Sequence, residues 1–444
     1  MTIGHHERIM MRFDRLDDWL HWQEGLHPTA MDLGLARVQD VVSAMAWPTR
    51  TFALISVAGT NGKGSSVAYL EAIYRAAGYR TGTYTSPHLQ RYNERIQIDG
   101  REVGDADIMS SFARLDEARG DITITYFEYG TLAAYDQFVG AEVDVAIMEI
   151  GIGGRLDAVN VFDADVGLVT TVDIDHQKWL GDNREDIGYQ KAGIFRAGRP
   201  AICGEAEPPH SVTDYAREIA ADLRQRDRDF WVSADGDAWR YEDADGALRL
   251  PMPGLTGVWQ QQNAAAAIAV TRALRDRLPV PDRALSKGIR APGLRGRFET
   301  VANHPEVIVD VAHNAQATAT LAANLAVDAS SAGPTVAVVA MLADKDIRSA
   351  LSVLTDCFER WYVAPTDGPR GLNEKAFAEE LRAVGTSAGA IQTCDSTVSA
   401  FVAAREYVSG TGRVVVFGSF HTVGDVLDAL DNERASASGN GRDT

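Results

Sequence analysis

The chain has 444 residues, 45% hydrophobic and 24% charged, the balance of a soluble globular protein too long for one core, so two domains are expected. Its net charge of −19 argues against a basic face for nucleic acid or an anionic membrane, and anionic substrates must be drawn by local cations. Cys203, Cys357 and Cys394 are too scattered for a disulfide framework, and no apolar run approaches the roughly 20 residues of a membrane span. The N-terminus shows no apolar secretory core, and a cytoplasmic protein is expected.

In chain order, Leu54–Ala58 is a short, mostly apolar run that reads as a strand. Gly59, Thr60, Asn61, Gly62, Lys63 and Gly64 follow as a turn, and Ser65–Ala77 reads as a helix stopped at Gly78. A strand feeding such a turn aims backbone N–H groups and a helix N-terminus at one point, which suits a phosphate. Lys63 adds a charge for the β- and γ-phosphates, and Ser65 or Ser66 a hydroxyl for Mg²⁺. The spacing is tighter than G-x-x-x-x-G-K-[ST], with one glycine between the lysine and the serines. Only six of the 43 basic residues are lysines, so an arginine-rich chain has placed a rare lysine here, and the turn reads as an ATP site.

Ser86, in Thr85-Ser-Pro-His-Leu89, lies at the carboxyl end of an apparent second strand, where ligands of open α/β sheets gather, although Ser-Pro also opens ordinary turns. Val143–Ile150 and Val166–Val172 read as strands buried on both faces. Glu149 ends the first of them ahead of a glycine run and is placed as a Mg²⁺ ligand in the Walker B manner. Asp175 and His176 end the second; hard cations prefer oxygen, so chemistry alone leaves His176 a polar residue or a base. Lys191, another rare lysine, ends a helix, where a surface cation would suit the dipole equally well. Residues 205–250 are more polar, with Phe230–Ser233 and Ala238–Tyr241 as an antiparallel elaboration, and Gln260–Arg277 is a strong helix.

Ala291-Pro-Gly-Leu-Arg-Gly-Arg297 has a linker composition. Beyond it Val307–Val311, Thr335–Met341, Arg360–Val363 and Val414–Phe417 alternate with helices such as Ala315–Val327 and Ser396–Tyr407. The expected fold is therefore α/β: an N-terminal P-loop doubly wound ATPase domain over 1–294 and a smaller C-terminal Rossmann-like α/β domain over 295–432. Residues 433–444 are small and polar and read as a disordered tail.

Taken in order, Ala58-Gly-Thr-Asn-Gly-Lys-Gly-Ser65, Ser86-Pro-His-Leu89, Glu149, Gly153-Gly-Arg-Leu-Asp157, Asp175-His176 and Lys191-Ala-Gly-Ile194 resemble the Mur ligase superfamily. With Arg297-Phe298, Asp310-Val-Ala-His-Asn314, Asp344-Lys-Asp346 and Gly418-Ser-Phe-His-Thr-Val423, the match is close to the folylpolyglutamate synthase/dihydrofolate synthase family. The resemblance runs from about residue 13 to 430, and its joint pattern is far more specific than any one piece. Gln190 departs from it, standing where a glutamate is usual before the lysine.

The resemblance implies the following roles. Gly59 to Ser65 would hold the ATP phosphates, and Ser86, Glu149 and His176 would ligate Mg²⁺, two ions in all. Lys191 would be a carbamylated lysine. Asn263, Arg297 and Asp310 would contact the nucleotide, while His313, Lys345 and Ser419 would line a cleft between the domains. Lys63, Lys191 and His313 would serve catalysis. Asp32 and Leu33, with Thr125, Tyr126, Phe127 and Glu128, would bind the pterin substrate, and Leu156, Asp157, Ala158 and Ser419 would also be substrate-binding. The implied activity is an ATP-dependent ligase that joins L-glutamate to dihydropteroate and adds glutamates to reduced folates through an acyl phosphate. The second domain would close over that intermediate to exclude water. The enzyme would be a monomer. A monofunctional folylpolyglutamate synthase, a cell-wall Mur ligase and a P-loop switch NTPase are the alternatives; the last would give no reason for a pterin segment or a second α/β domain.

Overall fold

The computed structural model describes residues 11–327, 333–366, 368 and 370–439. The described residues form two compact units, one of 11–86, Tyr92–Gly254 and Gln261–Gly293, the other of Pro87–Arg91, Leu255–Gln260 and 294–439.

The first unit is built on an eight-stranded sheet. Its strands are β1 (Ala53–Ala58), β2 (Thr81–Tyr84), β3 (Ile96–Ile98), β4 (Arg101–Glu102), β5 (Val145–Glu149), β6 (Val166–Val169), β7 (Pro200–Cys203) and β8 (Asp222–Gln225). Their order is β4-β3-β2-β5-β1-β6-β7-β8. Strands β2 and β5 to β8 run parallel to β1, and β3 and β4 add an antiparallel edge. Every residue of β1, β5 and β6 is buried, which explains why these segments are apolar except for Ser56 and Glu149 and show no alternation. From β1 the chain fills one side of the sheet and then returns to β6 on the other. The carboxyl end of β1 is therefore a switch point, where open α/β sheets bind ligands. The polar stretch contains a three-stranded antiparallel sheet of β9 (Phe230–Asp235), β10 (Ala238–Asp243) and β11 (Gly246–Pro251). The helix expected to reach Arg277 is Gln260–Ala273.

The second unit holds a six-stranded sheet, β12-β13-β17-β14-β15-β16. These strands are β12 (Glu299–Asn303), β13 (Glu306–Val309), β14 (Thr335–Val339), β15 (Arg360–Val363), β16 (Ile391–Thr393) and β17 (Arg413–Phe417), all parallel except β12. Two apolar clusters cover its faces. Pro87–Arg91 belongs to this unit because Leu89 packs into one of those clusters. Gln90 also donates to Asp428 at 2.8 Å and to Asp431 at 3.1 Å.

The C-terminal helix runs Phe420–Gly439, so residues 433–439 of the expected tail are helical. Glu433 pairs with Arg405 at 2.9 Å, and Arg434 donates to the Val301 carbonyl at 2.7 Å, which ties the extension down. Residues 440–444 lie outside the described residues. The three cysteines are free thiols, and no described helix is long and apolar enough to cross a membrane.

The turn after β1 tolerates no side chain at its first residue. A Cβ at Gly59 would lie 1.8 Å from Thr170 Oγ1, the hydroxyl that donates to Asn61 O at 2.6 Å. Gly59→Ala should cost about 1–3 kcal/mol of stability, the scale of overpacking, and should weaken nucleotide binding; urea unfolding and nucleotide titration measure both.

Candidate active site

The register of β1 against its neighbours places the first group of site residues. Val57 pairs with Glu149 on one side and Ala58 with Val169 on the other, while Tyr84 pairs with Met148. The phosphate turn, Glu149, the segment from Thr170 to His176 and Ser86 therefore all leave the carboxyl ends of adjacent strands. Gly62 takes φ 84°, a left-handed conformation that glycine adopts without strain, at the mouth of the helix Lys63–Ala77. Lys63 Nζ donates to Gly59 O at 3.1 Å and Thr60 O at 3.3 Å, and lies 4.0 Å from Glu149 Oε1. The Ser86 N–H donates to the other oxygen of Glu149 at 3.3 Å. Ser65 is buried, and Asn263 faces the turn, its Oδ1 2.6 Å from where a Cβ on Gly62 would stand.

The turn is braced from β6. Thr60 N–H donates to Thr171 O at 2.8 Å, Thr60 Oγ1 to Asp173 O at 3.0 Å, and Asn61 N–H to Thr171 Oγ1 at 3.1 Å. Thr170 and Thr171, which carry no motif of their own in the sequence, and Asp173 thus hold the loop that does. His176 follows with φ 52°, its Nε2 3.9 Å from Asp175 Oδ2.

Lys191 is 4% exposed, at the end of the helix Arg184–Ala192. Burial, then the charge of Lys63, push its pKa from 10.5 down to about 7, against the opposing pull of Asp175. The glycine loop packs on this helix end through backbone contacts. Arg155 N–H donates to Gln190 O at 2.8 Å, and a Cβ on Gly154 would meet Gln190 O at 2.7 Å and Lys191 O at 2.8 Å. Asp157 accepts from the backbone N–H groups of Ile152 at 2.9 Å and Val159 at 3.0 Å, bracing its own loop. Burial raises its carboxyl to about 7, although those donors and Lys63 favour the charged form. Its neighbour Leu156 is exposed, and Ala158 is buried.

The segments carrying Asp32–Leu33 and Thr125–Glu128 meet. Thr125 caps the helix Tyr126–Gly140 through a capping box with Glu128. Glu128 is in turn bound by Arg37 at 2.9 Å, and Arg37 also binds Asp32 at 2.7 Å. His27 Nε2 lies 3.2 Å from the same Asp32 oxygen and Nδ1 2.9 Å from Thr123 Oγ1. Leu33 is half-buried beside Asp32 in the chain. The Phe127 ring lies 6.0 Å from Tyr84 and against Gly151, two residues beyond Glu149; Tyr126 packs edge-on to Tyr92 at 5.7 Å. Arg37 and His27 were missed as single residues in the sequence, because an isolated arginine or histidine carries no pattern.

In the second unit the remaining residues lie at the carboxyl ends of the adjacent strands β13, β17 and β14. Asp310 accepts from Phe298 N–H at 2.9 Å and Ala312 N–H at 2.8 Å. Its carboxyl is raised by burial and opposed by the nearby Arg297 guanidinium. Arg297 also stacks over the Phe420 ring at 5.3 Å. His313 Nδ1 donates to Val311 O at 2.8 Å, Ser419 accepts from Thr422 N–H at 3.0 Å, and Lys345 lies half-buried in the turn after β14.

The Mur ligase middle domain family matches residues 57–271, and the Mur ligase glutamate ligase domain matches 296–420. A dihydrofolate synthase/folylpolyglutamate synthase from Escherichia coli (strain K12) is 43% identical over 421 residues, 95% of this chain and 96% of that protein. The chain belongs to the dihydrofolate synthase/folylpolyglutamate synthase family of Mur ligases. Among solved structures, E. coli FolC in complex with DHPP and ADP superposes with a TM-score of 0.88 at 43% identity, covering 95% of this chain and 99% of that one. A bifunctional folylpolyglutamate synthase/dihydrofolate synthase with Mn, AMPPNP and L-glutamate bound gives a TM-score of 0.87 at 41% identity, covering 96% and 100%.

Lys191 gives a stability prediction with a definite sign. Its folded pKa near 7 lies below the ordinary 10.5, so the unfolded chain binds the proton more tightly. The penalty is complete below pH 7 and disappears as pH rises toward 10.5. Lys191→Met should therefore raise the melting temperature at pH 6–7 in bicarbonate-free buffer, with a gain that shrinks toward pH 10. A gain independent of pH would mean that the lysine is not desolvated.

Proposed function

We infer that this chain is an ATP-dependent ligase that joins L-glutamate to dihydropteroate, giving dihydrofolate, and adds further glutamates to reduced folates. The observation that carries the reading is the single sheet end shared by the phosphate turn, Lys63 and Glu149, with Phe127 packed against Gly151 just beyond. It occurs in a chain whose Escherichia coli and Haemophilus influenzae relatives, matched over nearly their whole length, are named for both activities.

The donors suit a divalent cation. Glu149 is a buried carboxylate beside a phosphate turn, next to the hydroxyl-bearing Ser86, and Mg²⁺ commonly uses one or two carboxylates, with nucleotide phosphates and water completing its shell. We assign Ser86, Glu149 and His176 to two Mg²⁺ ions, whose charge would offset that of the phosphates. Lys63 and the N–H groups of 59–65 hold the β- and γ-phosphates, and Asn263, Arg297 and Asp310 contact the nucleotide.

The substrate carboxylate attacks the γ-phosphorus of ATP; the bond to the β–γ bridging oxygen breaks, and ADP leaves. The amine of L-glutamate then attacks the acyl carbon, an amide C–N bond replaces the C–O bond to phosphate, and the amine proton is lost. Lys63 offsets charge on the phosphoryl group in flight, a task of positioning and electrostatics. His313, its ring fixed by Val311 O, serves catalysis, and Ser419 binds substrate. Asp32, Leu33, Thr125 to Glu128 and Leu156 to Ala158 form the pterin end. A pKa near 7 keeps much of Lys191 as the neutral amine that reacts with CO₂, which supports its carbamylation. A monomer working in the cytoplasm completes the reading.

Lys191→Ala should abolish ligation, and short carboxylic acids should restore part of it by supplying the lost oxygens. Full activity of the unrescued variant would assign Lys191 to structure alone.

The substrate assignment is tested by measuring ADP and product with dihydropteroate and with tetrahydrofolate, each with L-glutamate. Phe127→Ala should reduce kcat/KM for dihydropteroate by the equivalent of about 1–3 kcal/mol, the scale of a lost ring or polar contact, and leave the ATP KM unchanged. Extension of tetrahydrofolate with no conversion of dihydropteroate would leave the monofunctional synthase.

A further inference from the structure

We propose that Arg37 is the positioning residue of the pterin end, a clasp that joins the loop carrying Asp32 to the helix turn carrying Tyr126 and Phe127. The inference rests on the reading of those segments as the pterin site. Two separate carboxylates meet one guanidinium: Nη1 lies 2.7 Å from Asp32 Oδ2, and Nη2 lies 2.9 Å from Glu128 Oε1. Nη2 also approaches the Asp32 carbonyl at 3.4 Å.

Glu128 is 3% exposed, and its second oxygen accepts the Thr125 N–H at 2.6 Å, so the carboxylate is fixed from both sides. The clasp therefore runs from the loop, through Arg37, to the backbone that starts the helix Tyr126–Gly140. Arg37 Nε is shielded from solvent and meets no hydrogen-bond partner among the described residues, so the guanidinium sits where the two carboxylates require it. His27 makes a second, weaker tie between Asp32 and Thr123.

Such a bridge needs a planar fork. A lysine presents one ammonium on a flexible stem and cannot serve two carboxylates in this geometry, although it keeps the charge and most of the apolar stem. The loop is otherwise thinly held: residues 29–35 lie between the helices Leu16–Glu24 and Ala36–Met45, outside any strand or helix, and are exposed or half-buried throughout. Without the clasp the loop and the aromatic pair would order separately, and the substrate would have to bring them together on binding.

The test uses the full chain with Arg37→Lys and Arg37→Met. Both should raise the KM for dihydropteroate about tenfold, the effect of a misplaced binding group, while kcat at saturation and the ATP KM stay within about twofold. Hydrogen exchange without substrate should show residues 29–36 losing protection while residues 59–66 do not. Faster exchange with an unchanged dihydropteroate KM would make Arg37 structural only and overturn the proposal, as would unchanged exchange or a fall in kcat with every KM affected alike. If neither variant folds, Arg37 is a structural residue and the proposal fails. If the parent protein does not convert dihydropteroate, the reading of the site fails instead; the exchange measurement then still reports whether the clasp exists.

Discussion

Register at the centre of the first sheet is the constraint on which the site depends. Strand β1 is paired on both sides, Val57 with Glu149 and Ala58 with Val169, and each partner strand is buried along its length. A slip of one residue in either pairing would turn every side chain of that strand to the opposite face. Glu149 would then no longer face Lys63, and the threonines after β6 would miss the phosphate turn. The hydrogen bonds from Thr60 and Asn61 to residues 171 and 173 form because the two strands end level. The apolar core thus fixes the chemistry: residues with no chemical role set the positions of those that have one.

Burial at this sheet end has a common electrostatic signature. Lys191 is pushed down and Asp157 pushed up, both to about 7, each with desolvation as the leading cause. A lysine and an aspartate driven toward neutrality from opposite directions report poor hydration, not an excess of either charge. Lys63 opposes the shift of Asp157 and adds to that of Lys191, so one cation acts on both. In a chain of net charge −19 this is how a polyanionic nucleotide can be held: few cations, placed where water screens them least.

The parts of the fold legible in the sequence are those fixed by local pattern. Largely apolar runs mark β1, β5 and β6 because both faces of those strands are covered, and the glycines after Ala58 mark a turn that the structure shows to be sterically closed at Gly59. Long-range closure was not legible. Arg37 lies 91 residues from Glu128, and nothing local marks it as the bridge. Pro87–Arg91 read as part of a motif in the first half, yet Leu89 finds its apolar partners around the second sheet. The polar composition after Asp431 suggests disorder because an ion pair and a hydrogen bond to distant residues, not its own periodicity, hold the helix there.

Gln190 meets the glycine loop mainly through its backbone. A neutral amide stands at this position before the lysine, which would matter if the side chain were the main contact. The closest interactions are instead made by the backbone: Gln190 O accepts the Arg155 N–H at 2.8 Å and borders the space that only a glycine at 154 leaves open. The side chain adds a longer contact, Arg155 Nε to Oε1 at 3.4 Å, which an amide oxygen can accept as a carboxylate would. Arg155 itself lies over the Tyr189 ring at 5.3 Å, so its position does not hang on that one oxygen. The loop therefore docks on the end of the Lys191 helix through groups that any residue at 190 would supply. Gly154 carries the real restriction, because a single added carbon would meet two carbonyl oxygens at once.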